Sequence, residues 1–258
     1  MAATNESTGA RQGRAAAGTA AFFAEVVGTF MLVFAGTAAV LATQRLDPSE
    51  GFGVVDDVAI ALAFAFGILA AVYTVAEISG AHINPAVTIA LAAVGRFPWR
   101  VVPAYVLAQL IGGLLAGLMN WLMFGDSARE LALGGTQPGE GVSWWTALAT
   151  EIVITAVLLV VVMATAVFER APGAGTVSGL AIGLWVGAAV LLALPVSGAS
   201  LNPARTLGPD IIAWSFPSWW IYVVGPVVGA IAGAALWTLL LERGDKQVVE
   251  SMGADDDD

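Results

Sequence analysis

Long, nearly uninterrupted apolar runs separated by short polar breaks dominate this chain. Six runs reach the roughly 20 residues needed to cross about 30 Å of hydrocarbon. They are Ala20–Ala42, Val54–Ala76, Val101–Phe124, Trp145–Phe168, Val177–Pro195 and Trp219–Leu241. Two further apolar pieces, Asn84–Val94 and Asn202–Trp214, fall between the second and third and between the fifth and sixth runs. Each is too short to cross. Each either lies on the surface or dips into the bilayer and returns.

An internal repeat decides between those two placements. Ser79-Gly-Ala-His-Ile-Asn-Pro-Ala-Val87 matches Ser197-Gly-Ala-Ser-Leu-Asn-Pro-Ala-Arg205 at six of nine positions, 118 residues further on. Glu25-Val-Val-Gly-Thr29 and Glu151-Ile-Val-Ile-Thr155 open the first run of each half in similar company, 126 residues apart. Each half therefore holds three spans and one short piece. Three crossings per half force the halves to run in opposite senses. Inverted repeats of this kind place their site near the midplane, where interrupted helices meet. Irregular backbone is tolerable there because it lines a watery cavity.

The short pieces have the chemistry of a helix start. Asn is a favoured N-cap, and Pro fits the first helical position because its missing N–H needs no partner. Asn84-Pro85-Ala86 and Asn202-Pro203-Ala204 read as N-cap, N1 and N2 in identical frames. A single Asn-Pro marks a turn; two, at corresponding places between apolar spans, mark a pair of re-entrant half-helices.

Composition agrees with this membrane reading. Of 258 residues, 58% are hydrophobic and 12% charged, against about 45–50% and about 25% in soluble domains. Mean hydropathy is +0.83. There is no cysteine and one histidine, His82, which removes disulfides, thiolate metal sites and any histidine-based metal cluster. The net charge of −10 sits largely in loops and ends, including Asp255–Asp258. Residues 1–18 are read as a polar tail, not a removed signal peptide, residues 19–243 as one transmembrane domain, with halves at about 19–124 and 145–241, and residues 244–258 as an acidic tail. Arg11, Arg14, Arg96, Arg100, Arg170, Arg243 and Lys246 lie on the side of the termini, against Arg45, Arg129 and Arg205 on the other. That asymmetry predicts cytoplasmic termini. Gly113-x3-Gly117, Gly183-x3-Gly187 and Gly229-x3-Gly233 are the small-residue spacings of close helix packing in lipid.

In both Asn-Pro-Ala boxes, the Arg after the second and the paired glutamates, the chain resembles the major intrinsic protein family, the aquaporins and glycerol facilitators, over roughly residues 20–241. The resemblance implies an all-α, aquaporin-like fold of six spans and two half-helices meeting head to head. It also implies a homotetramer in membrane lipid with one pore per protomer, no cofactor and no nucleic-acid partner. It assigns a four-residue selectivity filter to Phe64, Val190, Ala199 and Arg205, and a loop-supporting role to Glu25 and Glu151. His82 and Glu77 are expected to edge the inner vestibule. Strict water channels of the family usually carry His where Val190 stands, so the expected ring is wider and less polar and suits short polyols or urea besides water. Tyr222-Val223 before Gly225-Pro226, and the filter itself, resemble the nodulin-like subfamily. Thr206 stands where glycerol facilitators have Asp, and Asp210 departs from both patterns.

The expected function is passive passage of water and small neutral solutes, excluding ions and protons. The alternative is an ion- or proton-coupled secondary transporter, which also uses inverted repeats and broken helices. An ion channel is disfavoured because no Thr-Val-Gly-Tyr-Gly-like filter or acidic ring appears. Nothing in the chain suggests a catalytic nucleophile–base set, so no enzyme is expected.

Overall fold

The computed structural model describes residues 18–46, 53–168 and 175–254, all in helices, turns and loops. Eight helices carry the architecture: α1 (Thr19–Leu46), α2 (Val54–Ser79), α3 (Pro85–Ala93), α4 (Val102–Phe124), α5 (Trp144–Val162), α6 (Ser178–Ser197), α7 (Pro203–Ala213) and α8 (Ile221–Ala254). A single helical turn, Ser127–Glu130, and a tight 3₁₀ turn, Ala132–Gly134, lie in the connection between halves. A five-residue π turn, Met163–Val167, extends α5. The parts of the chain expected to be tails up to residue 17 and from residue 255 lie outside the described residues. The last helix runs past the expected end of the span at Leu241 and stays helical through Ala254; the added segment contains no proline to stop it.

Six helices are long and apolar enough to cross a membrane: α1, α2, α4, α5 with its π turn, α6 and α8. α3 and α7 have 9 and 11 residues, about 14 and 17 Å at 1.5 Å per residue, half a bilayer core. The bundle is apolar outside, and several charged and amide side chains are buried in its largely apolar interior. Glu25, Gln109, Asn120, Glu151, Arg205 and Asp210 are buried, while Phe23, Leu62, Phe66, Leu122, Leu184 and Leu236 are exposed. Such an apolar exterior suits lipid.

The halves pack as an inverted pair. α1 packs on α2 and α4, α5 packs on α6 and α8, and α2 crosses α6 between the halves. Each half-helix leans on the last long helix of the other half, α3 on α8 and α7 on α4. Close approach is achieved at matched glycines. A Cβ on Gly112 would strike the Val26 carbonyl, and one on Gly229 would strike the Ile152 carbonyl. Val26 and Ile152 are themselves mates in the repeat. Such interlocking fixes where α3 and α7 begin, and that point is the site.

Candidate functional site

The two segments leading into the half-helices have matching, irregular backbones. After the left-handed glycines Gly80 and Gly198 (φ 85° and 79°), non-glycine residues also take positive φ: Ala81 at 50°, Ile83 at 58°, Ala199 at 51° and Leu201 at 55°. Each such residue costs about 1–3 kcal/mol unless its surroundings hold it there. The buried glutamates supply that hold. Glu25 accepts hydrogen bonds from Ser79 Oγ (2.7 Å), His82 N (2.9 Å) and Ile83 N (2.6 Å). Glu151 accepts from Ser197 Oγ (2.7 Å), Ser200 N (2.9 Å) and Leu201 N (2.9 Å). A carboxylate is an acceptor-only group with room for several donors, and bonds to a charged acceptor are stronger than neutral ones.

Asn84 and Asn202 then cap the half-helices. Their Oδ1 atoms accept from Ala86 N (2.8 Å) and Ala204 N (2.9 Å), while Pro85 and Pro203 occupy the first helical positions. Each Asn also reaches across. Asn84 Nδ2 donates to the Leu201 carbonyl at 2.8 Å, and Asn202 Nδ2 donates to the Ile83 carbonyl at 2.9 Å. The loops are thus stitched together by the residues that start the helices. One hydrogen of each Nδ2 is used in the stitch, leaving the other for whatever occupies the space beside it.

That space is a cavity of about 560 Å³. Asn84, Asn202, Phe64, Val190, Ala199 and Arg205 all line it, and His82 and Glu77 line it too, in company with Arg96 and Phe97. Pro85, Ala86, Pro203, Ala204, Glu25 and Glu151 are not among its lining residues; they shape it from behind. The four residues expected to form one ring are each at most 3% exposed. The Arg205 guanidinium carbon lies 4.7 Å from the Phe64 ring centroid, a cation–π distance. Arg205 Nη1 donates to the Gly134 carbonyl at 2.8 Å.

Applying the repeat spacing of 118 residues to these four positions gives Ile182, Val72, Ala81 and Val87. All four also line the cavity. The mates of the four are therefore wholly apolar, and the cation stands on one side of the centre.

Several contributors escaped the sequence reading. Gln109 Nε2 donates to Glu25 Oε2 (2.8 Å) and Thr88 Oγ1 (2.9 Å), and Thr88 Oγ1 lies 3.1 Å from His82 Nδ1. Tyr105 donates to the Ser79 carbonyl at 2.8 Å. In the second half a hydroxyl chain replaces this network, with Thr206 Oγ1 2.7 Å from Ser200 Oγ and 2.6 Å from Thr136 Oγ1. Gly134 and Thr136 belong to the connection between halves, where Gly134-Gly135-Thr136 was the available signal.

Six spanning helices, two opposed half-helices and a cavity passing the tips of both define a membrane channel of the inverted-repeat kind. The chain belongs to the major intrinsic protein family, whose profile matches residues 13–237. It is 45% identical over 217 residues to aquaporin NIP1-3 of Oryza sativa subsp. japonica, a match covering 84% of this chain and 72% of that protein. It is 45% identical over 243 residues to the probable aquaporin AqpM of Archaeoglobus fulgidus, covering 86% and 97%. The X-ray structure of the aquaglyceroporin from Plasmodium falciparum has the same fold, with a TM-score of 0.73 at 24% identity, covering 84% of this chain and 93% of that one.

Proposed function

We propose that this chain passes water and small uncharged solutes down their gradients and blocks ions and protons. The observation that carries the reading is the crossed pair Asn84–Leu201 and Asn202–Ile83 at the junction of two half-helices beside one cavity. Each half-helix contributes about half a positive charge at its N-terminus. The free hydrogens of Asn84 and Asn202 point donors at the same place, so a water there accepts from both. It cannot then pass a proton along a continuous donor chain. The positive potential opposes cations, and walls such as Leu32, Ile68, Leu158 and Val186 return nothing for a stripped hydration shell.

In this reading Phe64, Val190, Ala199 and Arg205 form the selectivity filter. Arg205 supplies hydrogen-bond donors to a solute oxygen, and Phe64 and Val190 accept its carbon face. Val190 in place of a histidine supports solutes of glycerol or urea size besides water. Relatives named aquaporins and an aquaglyceroporin support the same range. His82, Glu77 and Arg96 form the inner vestibule, and the excess of basic residues on the side of the termini supports a cytoplasmic location for both ends. Family membership supports a homotetramer.

The test is light scattering from proteoliposomes challenged in turn with sucrose, glycerol and urea gradients, with and without a proton gradient. Fast shrinkage in sucrose, re-swelling in glycerol and indifference to the proton gradient are expected. Flux that requires the gradient would replace this reading with a coupled transporter.

A further inference from the structure

Behind the Arg205 side of the cavity, four buried polar atoms have no hydrogen-bond partner among the described residues: Arg205 Nε, both carboxylate oxygens of Asp210 and the Tyr222 hydroxyl. The three residues are 1%, 0% and 0% exposed. They are also neighbours. Arg205 Nη1 holds the Gly134 carbonyl, and the next residue, Gly135, lies so close to Asp210 that a Cβ on it would strike Oδ1. The charges of both Arg205 and Asp210 act on the Tyr222 hydroxyl.

Their chemistries are complementary. Nε only donates, an ionised carboxylate only accepts, and a phenol does both. Buried polar groups without partners are rare in native proteins and call for an explanation. The repeat sharpens the point. The mates of Arg205 and Asp210 in the first half are Val87 and Ala92, both buried. Cation and carboxylate occur together in one half and are absent together from the other. In the last long helix of each half, where Gly112 and Gly229 match at a spacing of 117, the mate of Tyr222 is Tyr105, whose hydroxyl is spent on the Ser79 carbonyl; the Tyr222 hydroxyl has no such bond among the described residues.

We propose that Asp210 is the internal counter-charge and positioning residue of Arg205, acting through buried water held between its carboxylate, Arg205 Nε–H and the Tyr222 hydroxyl. A buried water needs two to four polar partners, and these three groups supply them. The inference rests on the reading of Arg205 as a filter residue. The Gly134 carbonyl and the Asp210–water pair then grip the guanidinium on its buried edges. That grip fixes the donors it presents to a solute and offsets its charge without placing a carboxylate in the pore.

The test is a double-mutant cycle in the full-length protein, using Asp210→Asn, Arg205→Val, their combination, and Tyr222→Phe. Because Asp210 reaches the pore through Arg205, Asp210→Asn is expected to change the glycerol-to-water flux ratio by about threefold or more with Arg205 present. With Val at position 205 it is expected to leave the ratio unchanged. Tyr222→Phe should move the ratio in the same direction by less. Equal changes in both backgrounds, or no change in either, overturn the proposal. Thermal unfolding of the same proteins gives a readout independent of flux. Each single charge removal should lower the midpoint, and the double variant should recover part of the loss, because removing one partner strands the other. Additive losses overturn the proposal. Should Arg205→Val fail to fold, the Asp210→Asn and Tyr222→Phe cycle carries the test, since a shared water makes those losses non-additive. A wild type that passes neither water nor glycerol would sink the channel reading, while the thermal cycle would still decide the pairing.

Discussion

Glu151→Gln removes a charge and one acceptor while keeping the side chain's shape. In the wild type Oε1 accepts from Ser197 Oγ and Ser200 N, and Oε2 accepts from Leu201 N at 2.9 Å. A glutamine can leave its carbonyl oxygen at the first position, but its NH2 then faces the Leu201 N–H, donor against donor. The loss of one charge-assisted bond is worth about 1.5–3 kcal/mol, and an unsatisfied buried N–H costs about 1–3 kcal/mol. These overlap, so the expected destabilisation is about 2–5 kcal/mol. Function should suffer too, because the loop so released holds Ala199 and Leu201 at φ of 51° and 55° and delivers Asn202 and Arg205 to the cavity. Thermal unfolding followed by the fluorescence of the nine tryptophans, with water and glycerol flux in proteoliposomes, measures both effects. The mirror variant Glu25→Gln sets an NH2 against both the Ile83 N–H and Gln109 Nε2, and should also lower the unfolding midpoint. An unchanged midpoint and unchanged fluxes in Glu151→Gln would refute the idea that the carboxylate holds the loop.

Three further outcomes are expected. Val190→His narrows and polarises the ring, so glycerol flux should fall at least about threefold further than water flux, about 0.7 kcal/mol in barrier; an unaltered ratio would show that Val190 does not face the permeant. Arg205→Val removes the cation and the contact with Phe64, so solutes larger than glycerol and some protons should leak, read by a pH dye inside vesicles; unchanged selectivity counts against the filter assignment. Gly229→Val would press a side chain into the Ile152 carbonyl and force α5 and α8 apart, at about 3 kcal/mol or more; wild-type yield and unfolding midpoint would show that the helices do not depend on that approach.

The six spans and both half-helices were legible because their causes are local. Lipid demands a run of about 20 apolar residues for each crossing, so α1, α2, α4, α5, α6 and α8 start within about two residues of where hydropathy alone places them. Helix initiation is likewise settled within three residues, with Asn as cap and Pro at the first position, so the starts of α3 and α7 could be read directly. The ends were less legible. The continuation of α8 to Ala254 lies in a polar stretch that hydropathy does not register, and the π turn Met163–Val167 has no signature in the apolar pattern.

The repeat and the local chemistry of its boxes determined the topology, the opposed half-helices and the glutamates behind them. The partners were decided in three dimensions. That Asn84 reaches Leu201, 117 positions away, that Gln109 joins Glu25, that Gly134 takes Arg205, and that Asp210 packs against Gly135 all depend on how deeply one helix slides against another. That depth is set by glycine contacts between helices. Periodicity along one helix records which face is apolar, but it carries no information on the register between two helices, and hydrogen-bond partners are chosen by that register.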